Sequence, residues 1–501
     1  MTRAPYLHVR FQPSGSRRRV SADDIVRTLV AEAAAGHLPP GSRLPPVRAL
    51  EHELGISKNT VQAAYDELCA RGVLVSRERD GVFVADAPGR REMARPEAAP
   101  AGPPAPKTPP AARLREIPLK PNRPPTGDAL RLDMVFVDPD LLPRERIAEC
   151  FRSVLHVPGL HRFYDAQGYA PLREAIARRL CARGMDVVAD DVVTTTGSQQ
   201  ALDAVCRALA TRRIACENPV YPYATALFRS LGAELVGLRL DPFEPLPLEE
   251  WRRVLVAARP ELLYTITSFH NPTGRSCSSH ELTGMVALAS DLDFALLEDD
   301  WGSDMLSQGE YRPSLRAFGG RSVLYANSFT KKLLPSLRIG FVAGDERSVP
   351  ALVAAKRVAT LGNPTLIEAA LAELLERGYY DTHLTAMQQA LDARYTRCLE
   401  LLDERMPAGV RWTTPGGGPL LWLEVPRSVD LDALTARLAE RQVVVAPTPL
   451  AFDGKPHLHG LPLGYAFLDS ERLARALEIL GAELGRALAS ARGSAAAGEL
   501  A

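Results

Sequence analysis

The chain has 501 residues, 46% of them hydrophobic and 24% charged, which is too long for one ordinary domain and has the balance of a water-soluble globular protein. Its formal net charge is zero, so attraction to nucleic acid must come from a local excess, such as fourteen Lys/Arg against ten Asp/Glu in residues 1–91. Seven scattered cysteines without a C-x-x-C pair, and no apolar stretch of about eighteen residues, argue against a disulfide framework, a zinc site, export or membrane insertion, and point to a reducing cytoplasm.

In chain order, the first predicted element is a helix marked by Ile25, Leu29 and Ala33 and ended near Gly36. Val47, Leu50 and Leu54 mark a second helix stopped at Gly55. Ser57 suits an N-cap, and Val61, Ala64, Tyr65 and Leu68 make the apolar stripe of a third helix. Two short apolar runs, 73–75 and 82–84, flank Gly81 as a hairpin. Helices and hairpin in this order predict a winged helix-turn-helix over residues 18–86. On its third helix Ser57, Lys58, Asn59, Thr60 and Gln62 lie opposite the apolar stripe and are the residue types that read base edges and hold phosphates in the major groove. Arg43 and Arg48 are candidate phosphate anchors, and Gly81 is a candidate point of close backbone approach to the minor groove. The competing reading of these residues is a small helical docking domain with a polar face.

Residues 86–126 hold twelve prolines and eight alanines among 41 residues, with no helical or strand periodicity. This composition predicts an extended linker, assigned to 87–128, reaching on the order of 100 Å. Beyond it, apolar runs at 192–194, 262–266, 295–297 and 322–324 alternate with helical segments. Such runs predict strands buried on both faces, hence an α/β domain with a mainly parallel sheet over 129–490. From about Asp430 the pattern turns to amphipathic helix, which suits a smaller C-terminal α+β subdomain, and 491–501 reads as a frayed tail.

The chemistry-bearing residues of this second domain sit after its predicted strands. In Ser328-Phe329-Thr330-Lys331 a hydroxyl stands three residues before a lysine, and Arg338 follows seven after it. A Schiff base with pyridoxal 5′-phosphate needs such an amine, with hydroxyl and guanidinium groups to grip the phosphate. Gly197, Ser198 and Gln199 open a helix after a strand, where backbone amides favour phosphate oxygens. Tyr221 offers a ring to stack on the pyridine, Asn271 an amide donor for the phenolate oxygen, and Asp299 a carboxylate to keep the pyridinium nitrogen protonated. Singly each has an ordinary explanation as a turn, loop or cap; five segments in this order point to the cofactor. Lys332 competes with Lys331 for the Schiff base, and the Ser-x-x-Lys spacing favours Lys331.

Gly36-His37-Leu38-Pro39-Pro40-Gly41-Ser42-Arg43-Leu44-Pro45-Pro46-Val47-Arg48, then Gly55-Ile56-Ser57-Lys58-Asn59-Thr60-Val61 and Gly72-Val73-Leu74, closely resembles the GntR family of bacterial transcription regulators. The cofactor segments resemble the fold-type I aminotransferases over about 130–490. Joined by a long linker, the two halves resemble the MocR/GabR subfamily of GntR regulators. That resemblance implies a head-to-tail homodimer on an operator with paired half-sites, and a body that senses a small-molecule effector through its cofactor. It also implies the roles given above for Lys331, Asp299, Asn271, Tyr221, Ser198, Ser328 and Arg338.

Three departures qualify it. Trp301 replaces the usual tyrosine and can donate only through its ring N–H. Phe163 stands where relatives carry tyrosine, with Tyr164 adjacent. In Pro462-Leu463-Gly464-Tyr465-Ala466 proline replaces the arginine that would clamp a substrate carboxylate. Ordinary amino-acid transamination is therefore not expected, and the effector is expected to be pyridoxal phosphate itself or an amine without an α-carboxylate. His457 or His459 would be the substitute cations. The alternatives are a working aminotransferase with an appended DNA head, and a cofactor-free dimerisation scaffold.

Overall fold

The structure is a computed structural model; the described residues are 6, 7, 9–13, 20–77, 80–85, 117, 128–158, 160, 165–306, 312–446 and 451–499. They fall in two compact units, Met1–Arg115 and Glu116–Ala501. Most of the expected linker, together with Phe163 and Tyr164, lies outside the described residues.

The first unit contains α1 (Ala22–Ala34), α2 (Val47–Leu54), α3 (Lys58–Ala70), β1 (Leu74–Arg77) and β2 (Gly81–Val84). A capping box starts α1: the Ser21 hydroxyl accepts from Asp24 N at 3.3 Å, and the Asp24 carboxylate accepts from Ser21 N at 2.9 Å. Gly55 ends α2 in the left-handed conformation, at φ 60°, where glycine lacks the Cβ clash of other residues. Ile25, Leu29, Leu50, Val61, Ala64 and Leu68 close the core against Val84 of the hairpin. Tyr65 is buried there, and its hydroxyl donates to Pro45 O at 2.9 Å. β1 and β2 pair antiparallel, Leu74 opposite Val84 and Arg77 opposite Gly81. The unit is a winged helix-turn-helix.

In the second unit β3 (Leu130–Arg131) is followed by β4 (Val192–Thr195), β5 (Arg213–Asn218), β6 (Glu234–Arg239), β7 (Leu262–Thr265), β8 (Ala295–Asp300), β9 (Val323–Ser328) and β10 (Gly340–Ala343). Strands β4 to β10 form one seven-stranded sheet in the order β4-β10-β9-β8-β7-β5-β6. Every pairing is parallel except those of β10, which runs antiparallel to both β4 and β9. All four residues of β4, β7 and β10 are buried, as expected of strands covered on both faces.

Three of these strands carried no clear sequence signal. β5 begins on Arg213 and ends on Glu217-Asn218, and Glu217 is buried because it accepts hydrogen bonds from Thr265 and from Ile266 N. β6 is only half-buried, and β10 is four residues long.

The parallel strands place their carboxyl ends on one edge of the sheet, where ligands of open α/β sheets collect. Because β10 is reversed, its first residue, Gly340, lies opposite Thr195 and Ser328, the last residues of β4 and β9. The segment entering β10 therefore arrives at the same edge.

A smaller sheet is built from β11 (Arg411–Trp412), β12 (Leu420–Glu424) and, after β13 (Val443–Val444), β14 (Gly460–Gly464), in the order β11-β12-β14. Pro462 is tolerated because β14 is an edge strand. β13 pairs with β3 and ties the start of the unit to its end. The last helix runs Ser470–Glu499, so the backbone of residues 491–499 is helical where a frayed tail was expected. Among the described residues no helix is long and apolar enough to cross a membrane, and all seven cysteines are free thiols.

Candidate functional site

A cleft at the carboxyl edge of the large sheet is lined by Phe136, Ser198, Gln199, Tyr221, Ile266, Asn271, Asp299, Trp301, Ser328, Thr330, Lys331 and Arg338. Every expected cofactor residue is in that lining except Gly197, which is the residue before Ser198 and touches Arg338. Phe136, Ile266 and Thr330 were not anticipated. Phe136 comes from an irregular segment far from the other motifs, and only the folded chain brings it across the cleft.

Lys331 and Lys332 diverge as they leave β9. Lys332 is fully buried, and its ammonium donates to Asp304 Oδ2 at 3.0 Å and Asn327 Oδ1 at 2.7 Å. Asp304 also accepts from Arg183 and from the Tyr380 hydroxyl; burial alone would raise its pKa, but Lys332, Arg183 and Arg179 hold its carboxyl well below the usual carboxylate range. His383 Nε2 donates to Lys332 O at 2.6 Å and secures the backbone of the turn. Lys331 instead points into the cleft, its Nζ 3.8 Å from the centre of the Phe136 ring. Burial, helped by the Arg338 guanidinium, lowers its pKa to about 8, against the pull of Asp299. A lysine depressed this far is partly unprotonated near neutral pH, as an amine nucleophile must be.

Across the cleft Asp299 is buried. Its Oδ2 accepts from the Tyr264 hydroxyl at 2.9 Å, while Oδ1 has no partner among the described residues. Burial pushes its pKa up to about 6, opposed by the Tyr264 hydrogen bond. An unpartnered carboxylate oxygen in a polar cleft is the acceptor that a protonated pyridine nitrogen requires.

At the end of the cleft formed by Arg338 and Ser198 the backbone makes a glycine cradle. Gly197 has φ 80°, and a Cβ there would stand 3.0 Å from Arg338 Nη2. A Cβ on Gly340 would come within 2.7 Å of Asn327 O and 2.9 Å of Ser198 N. Thr196 N and its hydroxyl both donate to Gln200 Oε1, at 2.7 and 2.9 Å, which fixes the turn opening the helix Ser198–Ala208. Arg338 is exposed, itself left-handed at φ 49°, and donates to Thr196 O at 3.3 Å. Ser328 Oγ donates to Ile339 O at 3.2 Å and accepts from Thr330 N at 3.1 Å, so its hydroxyl proton is directed at the protein. Gln199 Nε2 donates to Tyr223 O at 3.0 Å and leaves Oε1 unpartnered. Helix start, glycine turn, exposed guanidinium and the orphan Asp299 oxygen fit a phosphorylated pyridine with Lys331 between its two ends.

The departures also have structural consequences. Trp301 lines the cleft, but its ring N–H donates to Phe269 O at 3.2 Å and is not directed at a ligand. Pro462 lies opposite Trp422 in the small sheet. His457 and His459 each engage a backbone carbonyl through Nε2, Leu240 O at 3.0 Å and Val429 O at 2.8 Å. Neither lines the cleft, so neither supplies a substitute cation there.

On the first unit, Ser57, Lys58, Asn59 and Gln62 are exposed on α3, and Thr60 is half-buried. Ser57 caps the helix, accepting from Thr60 N at 3.2 Å, and Gln62 donates to Asp66 at 2.8 Å. Lys58, Asn59 and Arg48 are exposed with no side-chain hydrogen bond among the described residues. Arg43 has a partner within the wing. Its guanidinium donates to Asp80 O at 2.6 Å and lies over Gly81, where a Cβ would meet Nε at 3.3 Å. The close approach at Gly81 is to Arg43 itself, which braces the hairpin tip.

The family model of aminotransferase class I and II matches residues 138–480. The chain belongs to that family. Residues 21–84 match the model of bacterial regulatory proteins of the gntR family, which is the winged unit. The chain is 31% identical to a 2-aminoadipate transaminase of Thermus thermophilus, over 69% of this chain and 87% of that protein. It is 29% identical to the probable rhizopine catabolism regulatory protein MocR of Rhizobium meliloti, over 90% of this chain and 91% of that one. The crystal structure of LysN, an α-aminoadipate aminotransferase of Thermus thermophilus complexed with N-(5′-phosphopyridoxyl)-L-leucine, superposes with a TM-score of 0.67 at 31% identity. It covers 72% of this chain and 93% of that one. The match to MocR spans both units, whereas the transaminases match the second.

Proposed function

We propose that this protein is a transcription regulator of the MocR type, whose GntR head binds operator DNA and whose body holds pyridoxal phosphate at Lys331 to sense an effector. The observation that carries this reading is the cleft, on a chain with a GntR head, in which the Lys331 amine faces the unpartnered Asp299 Oδ1 while Lys332 is sealed in an ion pair. When bound, the cofactor supplies an electrophilic carbon toward primary amines and a ring that accepts electron density. Asp299 holds the pyridine end, Ser198, Gln199, Ser328 and Arg338 the phosphate end, Tyr221 the ring face and Asn271 the phenolate side. Phe136 and Trp301 close the cleft against water.

Operator binding rests on Lys58, Asn59, Gln62, Ser57 and Thr60 along α3, with Arg48 on phosphate. We infer paired half-sites and a head-to-tail homodimer, a reading that the likeness to MocR supports. Among the described residues that line the cleft, Arg338 at the proposed phosphate end is the one guanidinium. The effector is accordingly pyridoxal phosphate itself or an amine without an α-carboxylate. The test is a spectrum of the purified chain titrated with such amines and with common amino acids. Visible absorbance that shifts with the amines supports the reading; tight binding of a common amino acid through its carboxylate contradicts it.

The 31% identity to a transaminase favours a second reading, an active aminotransferase with a DNA head. Steady turnover with a keto-acid acceptor, abolished in Lys331→Ala, would establish it.

A further inference from the structure

A second groove shares no lining residue with the cofactor cleft, and its wall is both aromatic and cationic. Phe243 follows β6, Arg275 and His280 follow β7, and Trp412 and Thr414 come from β11 and the turn after it. The groove thus lies between the edge of the large sheet and the small sheet. Its volume of about 660 Å³ falls in the range of small-molecule sites.

Arg312 lines the groove too, alongside Ser276, Ser278 and the carboxylates Glu244 and Glu281. Its guanidinium is half-buried, and among the described residues its hydrogen bond is from Nη2 to Pro415 O at 3.3 Å. No carboxylate among the described residues lies within ion-pair distance of it. Glu281 is engaged by Arg275 and by the start of the helix Ser279–Leu292, and Glu244 is exposed at the rim. Burial presses the Arg312 pKa down, as it does for a cation without a counter-charge. Partial desolvation without a partner is costly, and an anion in the groove would restore the balance. A guanidinium fork matches a carboxylate, and Trp412 adds an aromatic ring to the same lining, as does Phe243, over whose ring the Arg411 guanidinium lies 3.9 Å from the centroid.

We propose that this groove binds a small organic anion, a carboxylate on an apolar or aromatic body, with Arg312 holding the carboxylate and Trp412 the body. The site is distinct from the cofactor cleft and does not depend on Lys331.

The probe is phenylacetate, titrated into the full-length protein and followed by tryptophan fluorescence and calorimetry, with phenylacetamide as the uncharged match. Saturable binding is expected, with the amide weaker by about tenfold or more, as loss of a charge-assisted fork implies. Arg312→Gln should weaken phenylacetate by a similar factor while melting temperature and visible absorbance stay unchanged, and Trp412→Phe should remove most of the fluorescence response. Equal binding of acid and amide would overturn the proposal without relying on any variant. So would unchanged affinity in Arg312→Gln, or no saturable binding up to about 20 mM.

Discussion

At the scale of single residues, the decisive contrast is between two adjacent lysines. Lys331→Ala removes an amine that faces a cleft, so the chain should stay folded and lose the visible absorbance of bound cofactor. Lys332→Ala removes a fully buried cation from its ion pair with the buried Asp304 carboxylate, and thermal unfolding should show a loss on the order of 3 kcal/mol. Equal melting temperatures for the two variants would contradict this division of roles. The same residues set a pH window. Lys331, lowered to about 8, gains its neutral form as pH rises, so cofactor loading onto the stripped protein should accelerate up to about that pH and then level off. Asp299, raised to about 6, loses its charge as pH falls, so cofactor affinity should drop below about that pH, and Asp299→Asn should abolish this acid limb. The Ser-x-x-Lys spacing and the trailing arginine made this pair legible in the sequence. Phe136 was not legible, because nothing in its neighbourhood along the chain says that it closes over Lys331. Nor was Asp304, whose importance comes from Lys332, Arg183 and Tyr380 converging on it from distant segments.

At the scale of elements, the site depends on one reversed strand. β10 inserts antiparallel between β4 and β9, and that reversal brings Arg338 to the edge where Ser198 and Lys331 already lie. Gly340 is the point of closest packing. In Gly340→Ala the added methyl meets backbone at Asn327 O, Gly197 C and Ser198 N, all under 3.0 Å, and the phosphate turn must move. Cofactor affinity should fall by about tenfold or more, measured by equilibrium dialysis, with a stability loss of about 1–3 kcal/mol. Wild-type affinity in that variant would mean the turn is not held by this packing. The strand runs ending before Thr196, Asn271, Asp299 and Lys331 could be read from their apolar stretches. The reversal of β10 could not, since the direction of a strand in its sheet is a tertiary property. In the head, helix boundaries followed from Gly55 and Ser57, but the role of Arg43 did not. An arginine beside a helix-turn-helix reads as a phosphate anchor, and only the folded hairpin shows that it also braces the tip through Asp80 O. On α3, Lys58→Ala with Asn59→Ala should weaken operator binding by about tenfold or more in a gel-shift assay and leave cofactor absorbance untouched.

At the scale of the whole molecule, two families meet in one chain, a gntR-type head and an aminotransferase class I and II body. The body keeps an amine, a carboxylate and a phosphate cradle, while Pro462 stands where the likeness to aminotransferases leads one to expect a carboxylate clamp. Under the proposed function, that combination serves detection of a reactive amine rather than sustained turnover. The linker belongs to this scale too: shortening residues 87–128 should change preferred half-site spacing more than cofactor affinity. The most direct measurement is the operator affinity of the full-length protein, with and without pyridoxal phosphate, in wild type and Lys331→Ala. We predict that the cofactor changes operator affinity in wild type and has no effect in Lys331→Ala. Operator affinity that is the same with and without cofactor in wild type, or that responds equally in both proteins, would contradict a regulator that senses through Lys331.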